Sequence, residues 1–180
     1  MKNYVLKTKR LGLRNWTDDD LIPFAEMCAD PEVMRHFPKI LTRQESDALV
    51  GRLQKHFNEY GFCYFAVDVL SSNEFVGFTG LAHQTWESEY TPCVDIGWRL
   101  KRSAWGKGYA TEAAAACLDV AFQKFEIREV LAFATDTNHP SIHVMEKIGM
   151  QNMGTVQHPK IAGDPRFKHC VVYSYRNQED

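Results

Sequence analysis

The chain has 180 residues, 44% of them hydrophobic and 24% charged, with a formal net charge of −2. That is the length and composition of one soluble globular domain. It excludes a strongly basic nucleic-acid binder as the default, and 12% aromatic residues exclude a chain too polar to collapse.

Leu11 and Leu13 alternate with Gly12 and Arg14 in a short strand-like opening. Thr17 and the acidic run Asp18 to Asp20 suit a helix N-terminus, with Pro23 moving the start toward Asp20 and Asp30-Pro31 ending or kinking the helix. Thr42 to Glu45 has capping-box spacing and opens a second helix, with an apolar stripe at Leu49, Leu53, His56, Phe57 and Tyr60 and a stop at Gly61. Cys63 to Leu70 and Phe75 to Ala82, separated by Ser71 to Glu74, read as a hairpin. Val94 to Leu100 is the cleanest strand; Val94, Ile96, Trp98 and Leu100 point one way and Asp95, Gly97 and Arg99 the other. A glycine-bearing loop, Lys101 to Gly108, leads to a helix from about Tyr109 to Phe125. Val130 to Ala134 reads as a strand covered on both faces, Asn138 to Ile148 as a helix stopped by Gly149, and Gln151 to Gln157 and Lys168 to Tyr175 as closing strands. The fold class is α/β with a mixed sheet, in a single domain over 1–180.

No stretch reaches the length of about 20 apolar residues that a membrane span needs, since the run Ala113 to Leu118 stops at Asp119. No apolar segment follows the basic opening Met1 to Arg10, so no signal peptide is expected, and Lys7, Lys9 and Arg10 read as a solvated face. The five cysteines, at 28, 63, 93, 117 and 170, include no C-x-x-C pair; they read as reduced, mostly buried thiols of a cytoplasmic protein.

Gly106 and Gly108 flank Lys107 just before the long helix. Glycines there allow positive φ and close approach of a ligand, and the first amides of the helix have no intrahelical acceptor, so the turn suits a phosphate-bearing guest. A Walker A loop is disfavoured because Lys107 is followed by Gly108, and a dinucleotide fingerprint fails because Thr111 stands at its third glycine. A helix start with two incidental glycines stays open at this point.

The run Trp105 to Ala113 resembles the acyl-CoA loop of the GNAT N-acetyltransferase superfamily. Ile96 to Leu100 resembles the strand before that loop, and Asn138 to Met150 the N-x-x-S…E-K-x-G-[FM] segment. Leu6 to Arg14 and Asp30 to Met34 resemble the RimJ/RimL-type branch. The resemblance implies a single-domain GNAT-like fold, a mixed sheet with two splayed strands and helices on both faces. It implies acetyl-CoA as co-substrate, no metal, and an amine acceptor, with a protein N-terminus suggested by the branch. Ala104, Trp105, Gly106, Lys107, Gly108, Tyr109 and Ala110 would bind the pyrophosphate. Ile96, Gly97 and Trp98 would pair with the pantetheine arm beside the gap to Val130–Ala134. Asn138 and Ser141 would contact the pantetheine or thiol side. Gly97 would mark a bulge or a close ligand approach.

Two departures stand out. Ser103 occupies a place where the family often has Gln or Arg, and Met145 occupies the place of a Tyr that protonates the departing thiolate. Methionine donates no proton, so that role falls to Ser141, to a water, or to nothing. On the amine side, an α-amino group (pKa about 7.7–8.0) costs about 1 kcal/mol to deprotonate at pH 7, and a lysine (about 10.4) about 4.6 kcal/mol. Asp95 is the candidate base, acting through a water; a surface carboxylate paired with Arg99 or capping a loop is the competing role. His139 and His143 share a helical spacing without a third metal ligand in pattern, and no cysteine has a local base. Trp16, Trp86, Phe37 and His36 lie in or near loops that suit an acceptor pocket, with packing in the core or at its rim as the competing role. Three readings stay open: an N-acetyltransferase of protein N-termini, a small-amine acetyltransferase, and a non-catalytic acyl-CoA-binding module. No nucleic-acid or membrane partner is expected, and the oligomeric state, a homodimer included, stays open.

Overall fold

The computed structural model describes residues 2–167 and 169–177. Strands β1 (Leu6–Lys7), β2 (Leu11–Arg14), β3 (Tyr64–Val69), β4 (Glu74–Gln84), β5 (Cys93–Leu100), β6 (Glu129–Thr135), β7 (Gln151–Val156) and β8 (Cys170–Arg176) form one sheet in the order β1-β2-β3-β4-β5-β6-β8-β7. Neighbours are antiparallel except β5 and β6, which run parallel and meet at a single register pair, Asp95 with Leu131. After that pair the two strands no longer pair with each other: β5 runs on to Leu100 against β4, and β6 to Thr135 against β8. A parallel pair in the middle of a sheet needs a crossover, supplied here by helix α4 (Tyr109–Phe125).

Helix α1 (Leu21–Ala29) follows a 3₁₀ turn over Asp18–Asp20 and ends at Asp30, whose carboxylate caps the short helix α2 (Pro31–Met34). Helix α3 (Arg43–Tyr60) carries the expected reciprocal cap between Thr42 and Glu45, and Gly61 ends it at φ +76°. Its core-facing side carries Leu53, with Leu49 and Phe57 packed against the core as the stripe predicts, and adds Ser46 and Val50; Tyr60 departs from the stripe, being exposed and stacked on His83. Helix α5 (His139–Lys147) is capped by Asn138.

The two faces of the sheet carry different helices. Phe24 of α1 packs on Trp16 and Phe78, and Tyr64 stacks on Phe78 from the same side. Cys63, which precedes Tyr64 and points the other way, meets Cys117 of α4. Small residues at Ala113, Ala114, Cys117 and Ala121 let α4 lie close against the sheet. Trp16 is thus a core residue, 3% exposed, and not part of a rim.

Two further points differ from the sequence reading. β1 pairs with β2 although its two-residue span carries no strand signal. Gly97 is not a bulge: the β4–β5 register runs unbroken from Gly77–Leu100 to Gln84–Cys93, and the irregularity lies between Val67 and Asp68 on β3. Glycine at 97 makes room for the Tyr64 ring, since a Cβ there would lie 3.1 Å from Cζ.

Candidate active site

In a mixed α/β sheet, ligands enter beyond the carboxyl ends of parallel strands at the point where the topology reverses. Here β5 and β6 part at that point, and their ends lead directly to the starts of α4 and α5. A cavity of about 470 Å³ opens there. Of the residues singled out from sequence, it is lined by Trp98, Ala104, Trp105, Gly106, Gly108, Tyr109, Ala110, Asn138 and Ser141. Asp95, Ile96, Gly97 and Lys107 are not in its wall; Ile96 is buried in the core and Lys107 faces outward. His36 and Phe37 line it from the α2–α3 connection.

Gly106 (φ +72°) and Gly108 (φ +74°) adopt the left-handed conformation that the turn demands. The first bond of α4 runs from the Glu112 N–H to the Gly108 carbonyl, so the amides of Tyr109, Ala110 and Thr111 have no intrahelical acceptor. The Trp105 indole donates to the Leu100 carbonyl at 2.7 Å and ties the turn to the end of β5. Arg10 holds it from the opposite side. Its Nε donates to Glu112 Oε2 at 2.6 Å, its Nη1 to the Lys107 carbonyl at 2.8 Å, and its backbone N–H to Glu112 Oε1. Thr8 donates a further bond to Glu112. Arg10, exposed as a solvated charge would be, also braces the anion site. No spacing rule finds this contact, because it joins residues 102 apart.

Asp95 differs from the surface carboxylate paired with Arg99. It is 8% exposed, and its Oδ1 accepts from Tyr64 Oη at 2.6 Å and from Gln84 Nε2 at 3.1 Å. Oδ2 accepts from no other described residue. Burial pushes its pKa up to about 6, against the opposing pull of those two donors. Burial and the adjoining Asp95 charge hold the Tyr64 hydroxyl well above its ordinary range, so it stays a donor. Asp95 stands at the last contact between β5 and β6.

Four buried polar atoms lack a hydrogen-bond partner among the described residues: Trp86 Nε1, Arg99 Nε, Thr135 Oγ1 and Asp136 Oδ1. Thr135 ends β6, Asp136 follows it, Arg99 stands on the facing stretch of β5, and Trp86 packs on Phe133 of β6. Of the four, only Arg99 lines the cavity, where a polar guest could satisfy it. Asn138 spends its Oδ1 on the Ser141 N–H, whereas the Ser141 hydroxyl meets no partner among the described residues. Met145 is buried, 2% exposed. Among the described residues no group of three or more His, Cys, Asp or Glu is placed to hold a metal ion, and no helix is long and apolar enough to cross a membrane.

Comparisons with known proteins agree with this geometry. A profile of the "Acetyltransferase (GNAT) domain" matches residues 10–151. "Uncharacterized protein YkkB" of Bacillus subtilis is 32% identical over 153 residues, covering 84% of this chain and 88% of the relative. The crystal structure of an acetyltransferase (GNAT family) from Bacillus anthracis, 26% identical, superposes with a TM-score of 0.79 over 95% of this chain and 97% of its own. A structure of RimL, the ribosomal L7/L12 alpha-N-protein acetyltransferase, in complex with coenzyme A, shares the fold at 14% identity, with a TM-score of 0.79 over 99% of this chain and 100% of its own. The chain belongs to the GNAT family of N-acetyltransferases.

Proposed function

We propose that this protein moves an acetyl group from acetyl-CoA to a primary amine by direct attack, and that the amine is an α-amino group, a protein N-terminus first. The observation that carries the proposal is the pairing of two features across one gap: unsatisfied amides at the start of α4, and a buried carboxylate at the last β5–β6 contact. The amides from Trp105 to Ala110 take the diphosphate, with Ala104 backing the turn and Lys107 adding charge from outside. The main chain of Ile96, Gly97 and Trp98 pairs with the pantetheine arm, and a backbone N–H there steadies the thioester oxygen as charge develops. Asn138 and Ser141 face the arm from α5.

The amine lone pair attacks the thioester carbon, the C–N bond forms, the C–S bond breaks and the thiolate leaves. The proton lost from nitrogen passes through a water to Asp95, whose Oδ2 takes no bond from another described residue. The thiolate takes a proton from Ser141 or from water, because Met145 has none to give. With Asp95 near pH 6, the transfer from an α-ammonium is uphill by about two pKa units, and from a lysine by more than four. That difference favours the α-amine. The RimL complex supports the same choice by fold, while a spermidine N-acetyltransferase from Vibrio cholerae (TM-score 0.74, 18% identical) carries a small amine on it.

Mass spectrometry of an acceptor library incubated with acetyl-CoA tests the proposal. Acetylation of peptide α-amines with stoichiometric thiol release is expected; modification of polyamines or aminoglycosides alone contradicts the acceptor. Met145 favours a second reading, a binding module without turnover, which predicts CoA binding and no product with any amine.

A further inference from the structure

Arg99 is a partly buried cation that the reaction scheme above does not use. It alternates with Trp98 and Leu100 on β5, so it leaves the strand on the α1 face, away from the amides of α4. Its guanidinium lies 4.0 Å from the centroid of Phe37 and 5.3 Å from that of Phe78. Nη1 donates to Cys28 Sγ at 3.3 Å, a weak acceptor, and burial holds that thiol in its neutral form. Nε is buried and meets no acceptor, and no carboxylate lies within ion-pair distance of Arg99 among the described residues. Asp95 is no substitute: it is engaged with Tyr64 and Gln84, and it sits four residues back along the strand, about 13 Å at 3.3 Å per residue. A desolvated guanidinium calls for an anion, and its planar fork matches a carboxylate. Arg99 lines the cavity, so the anion can arrive with a ligand.

We propose that Arg99 anchors the acceptor by binding a carboxylate that the amine substrate itself carries, so that the enzyme acetylates amino acids or peptides bearing an anionic group and not polyamines. This rests on the acetyl-transfer reading and deepens it. The aromatic faces of Phe37 and Phe78 hold the guanidinium in place for that contact.

Two matched acceptor pairs test the assignment on the wild-type protein with acetyl-CoA. One is an amino acid against its amide; the other is a peptide pair differing only in Glu against Gln at its second residue. In at least one pair the acidic member is expected to have a kcat/KM about tenfold higher or more, as for a hydrogen bond between charged groups. The pair that responds identifies whether the carboxylate is the amino acid's own or a peptide side chain. Arg99→Gln is expected to bring that ratio to about one by raising KM, Arg99→Lys to restore part of it, and both to leave the calorimetric Kd for CoA within about twofold. Equal turnover of acid and amide in both pairs overturns the assignment, and so does a variant that weakens CoA binding while keeping the acceptor preference. No turnover with any amine removes the acetyl-transfer reading itself; even turnover of acids and amides removes only the role of Arg99.

Discussion

Two arginines stand on strands of this sheet, Arg14 buried and Arg99 partly buried, and their surroundings are opposite. Arg14, on β2, donates to both oxygens of Asp20 (2.6 and 2.8 Å) and to both oxygens of Asp68 (2.7 and 3.0 Å). Lys2 adds a second cation to Asp68. Every charge there has a counter-charge, and the network joins β2, β3 and the turn before α1. Arg99, on β5, has two aromatic rings and a thiol. The first region is closed and self-sufficient; the second is polar, partly buried and incomplete. The difference separates scaffold from site: where a fold needs a buried charge for itself it completes the hydrogen bonds, and where it leaves them open a ligand completes them.

The comparison is broken most forcefully by removing each guanidinium in turn. Arg14→Met leaves two buried carboxylates facing each other and is expected to cost about 3–5 kcal/mol, read as a lower urea midpoint. Arg99→Met removes a partly buried cation with no counter-charge among the described residues and is expected to change stability by less than about 1 kcal/mol, or to raise it. Equal losses from the two variants would show that Arg99 belongs to the scaffold.

Asp95→Asn sharpens the same contrast on the anionic side. Turnover is expected to fall about a hundredfold, and the acid limb of the wild-type profile, in which activity rises through about pH 6 as Asp95 loses its proton, is expected to vanish. Stability moves in the opposite direction. The folded pKa of Asp95 stands above the usual carboxylate range, so its contribution is full below about pH 4 and is lost as pH rises through 6. The variant should therefore melt higher than wild type at pH 8 and lose that advantage at pH 4. An unchanged rate and pH profile would remove Asp95 from the mechanism.

The smallest effect concerns the brace on the anion site. Glu112→Gln keeps the shape but weakens both Arg10 contacts, and calorimetry should show CoA binding weakened by about fivefold with little change in melting temperature, the size of one charge-assisted hydrogen bond on a partly exposed pair. Unaltered affinity would mean that the turn holds its geometry without Arg10.

Local chemistry was legible in the sequence, and long-range partnership was not. The bounds of α4, Tyr109–Phe125, agree with its apolar period, and the Thr42–Glu45 cap and Gly61 stop agree with the ends of α3, because each signal is complete within a turn or two. The acyl-CoA loop was legible for the same reason: its glycines, its lysine and the helix start are contiguous. Alternation placed Asp95 and Arg99 on one face of β5, yet it carries no information on what covers that face. Tyr64, 31 residues earlier, turns Asp95 from a surface carboxylate into a buried one, and Phe37 of the α2–α3 connection encloses Arg99. The bracing role of Arg10 was not legible because Glu112 lies 102 residues away. The acceptor side is assembled from such distant pieces, and so is the junction in which Arg166 donates to the Phe37 and Pro38 carbonyls across the chain.

The anion site at the start of α4 carries the whole account, and an amide-resolved NMR titration with CoA reads it directly. Large downfield shifts confined to the N–H groups of Gly106, Gly108, Tyr109 and Ala110, and abolished when inorganic phosphate replaces CoA at equal concentration, are what a diphosphate held by those amides predicts. Saturating CoA that leaves these four resonances in place, or that moves only amides of β1 to β3, would contradict it.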